Sequence, residues 1–233
     1  MFFPTSLVVG VLASSALVMG SSLGTFWTPS DDVVAAALAF SSGALITALT
    51  FDLFEEAFNM GGPWYAGAGL MAGAAVFVGA DMLIDRYASS QSGFALLAGV
   101  TLDGVPENTA LGVTIGGAGH VHYLTLLVAI FASNFPESLN GATDMQGQDY
   151  SRKDIIGLWV LVAGLLTAAV VIGSVVSAGF GDKLLSFVRA FAGGAVLASL
   201  AVTVIPEAFD EGGPLVAIAT AAGFLLTFVL TSG

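Results

Sequence analysis

Eight long apolar stretches, separated by loops of a few residues, constrain this chain more than any other feature. They fall at roughly 3–24, 33–58, 63–84, 93–117, 123–141, 155–179, 184–209 and 215–231. A hydrocarbon core about 30 Å thick takes about 20 apolar residues as helix, so each stretch is predicted to be one membrane-crossing helix. Composition agrees: 56% of residues are hydrophobic and 9% charged, too little charge to cover a soluble domain of this length. The loops are too short to fold alone, which predicts a single transmembrane domain over 1–233. The first stretch lacks a basic leader region and is read as a span. With no cysteine in the chain, disulfides and thiolate metal sites are excluded.

Two segments are copies of one another. Residues 39–63, AFSSGALITALTFDLFEEAFNMGGP, align without a gap on 190–214, AFAGGAVLASLAVTVIPEAFDEGGP, at an offset of 151, with 11 of 25 positions identical. The first copy lies in span 2 and the second in span 7. They are five apart in the order of spans, so they are predicted to cross the membrane in opposite directions. Spans 4 and 5 also resemble each other, DGVPENTALG against SNFPESLNGA. The expected layout is 3+2+3: repeat 1 about 1–86, a central pair about 93–141, and an inverted repeat 2 about 153–233. Inverted repeats whose helices are interrupted by Gly or Pro at matching places are a transporter signature, with the site expected near midplane.

The central pair carries the chemistry. Asp103 and Glu107 are four residues apart and share a helical face, as do Ser133, Asn134 and Glu137 on the next span. Each set flanks a proline. Pro106 and Pro136 lack an N–H, which releases the carbonyls of Leu102 and Ala132 from their helical partners. The result is an oxygen-rich nest in an apolar setting. An ionised acid at midplane costs about 2.5–3.5 kcal/mol, so Asp103, Glu107, Glu137 and the span-2 acid Asp52 would together cost roughly 10 kcal/mol or more if uncompensated. Arg189 is the one base inside an apolar stretch and cannot balance all four. Protons or bound cations must do the rest. Net charge of −12 disfavours nucleic acid and anionic substrates and suits attraction of cations, although acidic loops also serve as adaptation to a salty medium.

At these residues the chain resembles the ZIP (ZRT/IRT-like) metal-ion transporters, in a divergent prokaryotic branch. The resemblance rests on GVPE and NFPE on adjacent spans and extends over nearly the whole chain. It implies an all-α integral membrane protein with eight transmembrane helices in a 3+2+3 inverted-repeat arrangement. It also implies membrane transport of divalent cations of the zinc, manganese or iron class without ATP, and a homodimer. Glu107 and Glu137 match the family's metal-binding glutamates, and Asn134 matches the ligand three residues before the second. Asp103 stands where His is usual and Gly104 where Asn is usual. Ser133 replaces His, and Asn108 and Ser138 replace Gly. Asp52 falls where members often carry an acid, opposite Thr203 in the repeat. No carboxylate lies in span 6 (Ile155 to Gly179), which favours one metal site over two. The implied metal set is therefore Glu107, Glu137, Asp103, Asn134 and Asp52. Carboxylate and amide oxygens in place of imidazole suit harder ions such as Mn²⁺ or Mg²⁺, or weaker zinc binding.

Further expectations complete the sequence reading. Arg86, Arg152 and Lys153 against Lys183 favour both termini outside a cell membrane. His120 and His122 suit either metal capture at an entrance or plain solvation. Glu55, Glu56, Glu207, Asp210 and Glu211 suit either acidic mouths on opposite sides or solvated helix ends. Paired glutamates in FEEAF resemble those of membrane proteases, but the residues that would support them are missing, so the chain is not expected to be an enzyme. No tightly bound cofactor is expected; the divalent cation is cargo, and the other partner is the bilayer. A transport-inactive relic acting as sensor or scaffold, and a proton or monovalent-cation pathway, are the alternatives.

Overall fold

The computed structural model describes residues 2–87, 93–116 and 123–232. Among the described residues the chain is all-helical. Helix α1 spans Phe2–Gly24 and α2 Asp31–Ala48; α2 continues through a wide π-wound stretch, Leu49–Glu55, into α3, Glu56–Tyr87. Helices α4 (Gly93–Gly116) and α5 (Tyr123–Gly147) follow, then α6 (Arg152–Ser177) and α7 (Asp182–Ser199). A second π-wound stretch, Leu200–Val204, leads into α8 (Ile205–Gly212), a 3₁₀ turn at Gly213–Leu215 and α9 (Val216–Ser232). Acids open α2 at Asp31 and Asp32, where the positive end of the helix dipole favours them. Ser151 caps α6 by accepting from the Asp154 N–H at 3.3 Å.

Four helical stretches among the described residues are long and apolar enough to cross a membrane: Phe3–Gly24, Asp31–Ile84, Arg152–Ser177 and Asp182–Thr231. Two are far longer than one crossing needs, at 54 and 50 residues. Each is broken once. The first breaks at Gly62 (φ 78°, ψ 178°) and the second at Gly213 (φ 62°, ψ −158°). Positive φ is cheap for glycine and costly for other residues, and proline follows at both places. Helices α4 and α5, diluted by their polar motifs, are not among the four. The expected eight separate apolar spans thus appear as four such stretches plus this polar pair.

The two copies of the repeat have the same backbone anatomy. At the sequence offset of 151, Leu49 and Leu200 both open the π-wound stretch, and Gly62 and Gly213 both break the rod. Packing follows the same exchange. Helix α1 packs along α5 as α6 packs along α4, and α2 along α9 as α7 along α3. A Cβ on Gly43 would strike the Thr220 carbonyl oxygen, and one on the equivalent Gly194 the Leu70 carbonyl oxygen. Small residues here let helix backbones approach, as membrane helix pairs require.

Outside and inside are reversed relative to a water-soluble bundle. Leu161, Leu165, Ile172, Ile218, Leu225 and Val229 are exposed, whereas Asp52, Asp103, Glu107, Asn108, Asn134 and Arg189 are buried. The polar groups gather where α4 and α5 meet the π-wound ends of α2 and α7.

Candidate functional site

Helices α4 and α5 run unbroken through Pro106 and Pro136. Each carries its acids into the interior. The Ser199 hydroxyl, on the last residue of α7 before its π-wound stretch, donates to Asp103 Oδ1 at 2.8 Å. The Ser133 hydroxyl donates to Glu137 Oε1, also at 2.8 Å, across one turn of α5. Asn140 Nδ2 donates to Glu207 Oε1 at 3.1 Å and so ties α5 to α8. A cavity of about 130 Å³ lies among these groups, lined by Asp103, Glu137, Asn140, Thr203 and Glu207 together with Gly99 and the neighbouring backbone. Three carboxylates from three helices therefore border one small space.

The other expected ligands are buried and do not line it. Glu107 is 2% exposed and sits one turn after Asp103 on α4. Asn134 is 1% exposed, and neither its amide oxygen nor its nitrogen has a hydrogen-bond partner among the described residues. A buried amide without partners loses about 1–3 kcal/mol relative to a satisfied one, which makes Asn134 a candidate ligand. Asp52 sits in the π-wound stretch, fully buried. Such locally widened turns recur at functional sites because they re-aim side chains. Thr203, its repeat equivalent, lies in the other π-wound stretch and lines the cavity.

Ser138, Asn108 and Gly104 have local structural roles. Ser138 donates to the carbonyls of Asn134 at 2.8 Å and Ala16 at 3.3 Å, stitching α5 to α1. Asn108 turns its Nδ2 to the Gly104 carbonyl at 2.9 Å. At Gly104 a Cβ would come within 2.5 Å of the Leu166 Cδ1 atom on α6, so an asparagine there needs Leu166 to move.

Among the described residues no three His, Cys, Asp or Glu side chains stand in an arrangement that holds a metal ion unaided. Amide, hydroxyl and carbonyl oxygens must complete any shell. His120 and His122 lie outside the described residues. Glu207 and Asn140 are the residues that sequence reasoning left out of the central site. Sequence alone places Glu207 at a mouth; its repeat relation to Glu56, with Thr203 one turn earlier, is the signal that links it to the site. Arg189, which sequence left without an assigned partner, pairs with Glu56.

No family model matches the chain. It is 24% identical over 222 residues to a protein of Arabidopsis thaliana described as a "putative zinc transporter", an alignment covering 88% of this chain. The chain spans only 36% of that relative's length. Taken together, these findings describe an all-helical chain with stretches long and apolar enough to cross a membrane, distantly similar to a protein described as a putative zinc transporter.

Proposed function

We propose that the chain moves divalent metal cations across a membrane, without ATP, through a carboxylate-rich site between α4 and α5. In this reading it is a ZIP-like protein of eight crossings in a 3+2+3 inverted arrangement. The observation that carries the proposal is the meeting of Asp103, Glu137 and Glu207 around one small cavity, with Asn134 buried one turn before Glu137 and its amide without a hydrogen-bond partner among the described residues. Acids from separate helices are not brought together in an apolar interior without a cation or protons to offset their repulsion.

The arrangement of crossings has independent support. A 54-residue helical stretch would be about 80 Å long, more than twice a hydrocarbon core. Its break at Gly62, and the equivalent break at Gly213, divide each long stretch into two crossings. With α1, α4, α5 and α6 this makes eight, with both termini on the outer side of a cell membrane. The matching anatomy of the two copies supports their descent from one unit, and their places five apart in the order of crossings, with four between them, give the inversion. The chain forms one domain, and the resemblance implies a homodimer.

Glu107 and Glu137 act as core ligands, supported by Asp103, Asn134 and Asp52. Their oxygens replace part of the hydration shell, favouring Mn²⁺ or weakly held Zn²⁺. The test is uptake of Mn²⁺ and Zn²⁺ into vesicles containing the purified chain, each ion competing against the other. Mutual competition and saturable uptake support the proposal. Uptake of protons or monovalent ions that divalent ions do not affect supports the monovalent-pathway alternative, and absence of any flux supports a scaffold or sensor.

A further inference from the structure

The cavity has a repeat-related counterpart that is shut. Exchanging the copies by 151 positions, and α4 with α5 by 30, maps Asp103, Glu137, Asn140, Thr203 and Glu207 onto Ser133, Glu107, Ala110, Asp52 and Glu56. Ser133, Asp52 and Ala110 are 0% exposed and Glu107 is 2% exposed. One end of the site therefore opens into a cavity while the equivalent end is packed closed.

The two ends are fastened differently. In both, the half-rod after one π-wound stretch crosses the start of the other copy's helix. Gly61 lies against Ser186, and Gly212 against the equivalent Ala35. At the closed end the contact is polar. Ser186 donates to the Ala57 carbonyl at 2.6 Å, and the buried Arg189 guanidinium pairs with the Glu56 carboxylate. The repeat equivalents of Ser186, Arg189 and Ala57 are Ala35, Leu38 and Ala208, which can form neither side-chain bond. Glu207, the equivalent of Glu56, turns to the cavity instead.

We propose that the Arg189–Glu56 ion pair is a clamp holding a second mouth shut, a mouth lined by Glu107, Asp52, Ala110 and, once released, Glu56. It rests on the transport reading for its purpose, though not for its geometry. Inverted copies give two end states in which each copy adopts the other's conformation. In the second state Glu56 faces the site as Glu207 does here, and to do so it leaves Arg189.

The experiment uses the cysteine-free chain in sealed vesicles with a membrane-impermeant thiosulfonate reagent on either side. The reporters are Gly99→Cys, at the open cavity where a Cβ meets open space, and Ala129→Cys, its equivalent on α5. With the clamp intact, Gly99→Cys reacts from one side and Ala129→Cys is protected. Replacing the pair by neutral residues, Arg189→Leu with Glu56→Gln, is expected to raise Ala129→Cys reactivity from the opposite side about tenfold or more, the sign of a shifted two-state population. Glu56→Gln alone, which keeps an acceptor for Arg189, gives a smaller gain and serves if the double variant does not fold. Protection of Ala129→Cys unchanged in a folded variant, with Gly99→Cys still reactive, overturns the clamp even if metal uptake persists. Gain of access without any metal flux upholds the clamp and removes the transport reading.

Discussion

The two glutamates of the repeated EAF motif have the same local sequence and opposite surroundings. Glu207 borders a cavity that Asp103 and Glu137 also line, and it accepts a hydrogen bond from the neutral Asn140. Glu56 is paired with the buried guanidinium of Arg189. Leu38 against Arg189, Ala35 against Ser186, and Ala110 against Asn140 are the exchanges that separate the two. A duplicated segment supplies two equivalent places, and a few unequal residues decide which is open and which is tied. The part that stayed the same is backbone: two π-wound stretches, two glycine breaks and two close glycine contacts.

The largest effect is expected where the copies' central helices converge. Glu137→Gln and Glu107→Gln should each reduce divalent-cation uptake at least about a hundredfold, more than the 10–100-fold typical of residues that only support ligands. Near-normal flux in both variants would remove the distinction between the central carboxylates and those at the mouths. Next comes the backbone similarity. Gly43→Val and Gly194→Val should each destabilise the protein by about 1–3 kcal/mol, because both drive a side chain into a facing carbonyl. Thermal unfolding in detergent measures this, and a large loss in one with none in the other would break the equivalence of the copies.

A smaller effect should follow from loosening the open end. Asn140→Ala removes the donor to Glu207, and Ser199→Ala the donor to Asp103. Each is expected to weaken apparent metal affinity by about tenfold, as loss of a hydrogen bond to a ligand does. The smallest effect is expected at the closed end's neutral bond. Ser186→Ala, which installs the residue of the equivalent position 35, should cost about 1 kcal/mol in thermal unfolding with uptake little changed. A loss of uptake there as large as at Asn140 would mean that the two ends are not functionally different.

Much of the helical layout was legible because apolar length and the Gly-Gly-Pro punctuation are local signals. The breaks at Gly62 and Gly213 follow from the positive φ that only glycine adopts readily. The central acids were legible for a similar reason: Asp103, Glu107 and Glu137 stand at helical spacing beside prolines in an apolar run. The π-wound stretches were not, since nothing in LTFDLFE or LAVTV marks an extra residue per turn. Nor was the grouping of Asn140 and Glu207 with Asp103. Their contact joins residues 67 positions apart and depends on how α8 leaves the second π-wound stretch. The partner of Arg189 was hidden by the same kind of distance, 133 positions along the chain.

The central claim is that acids of α4 and α5 form one cation site, and the most direct measurement is direct binding. Titrating Mn²⁺ into the purified, detergent-solubilised chain and following the free-ion electron paramagnetic resonance signal counts bound ions without requiring transport. One Mn²⁺ held per chain, displaced by Zn²⁺ and lost in the Glu107→Gln, Glu137→Gln double variant with helical content and thermal unfolding retained, is the expected result. Undiminished binding in that folded double variant would contradict the account.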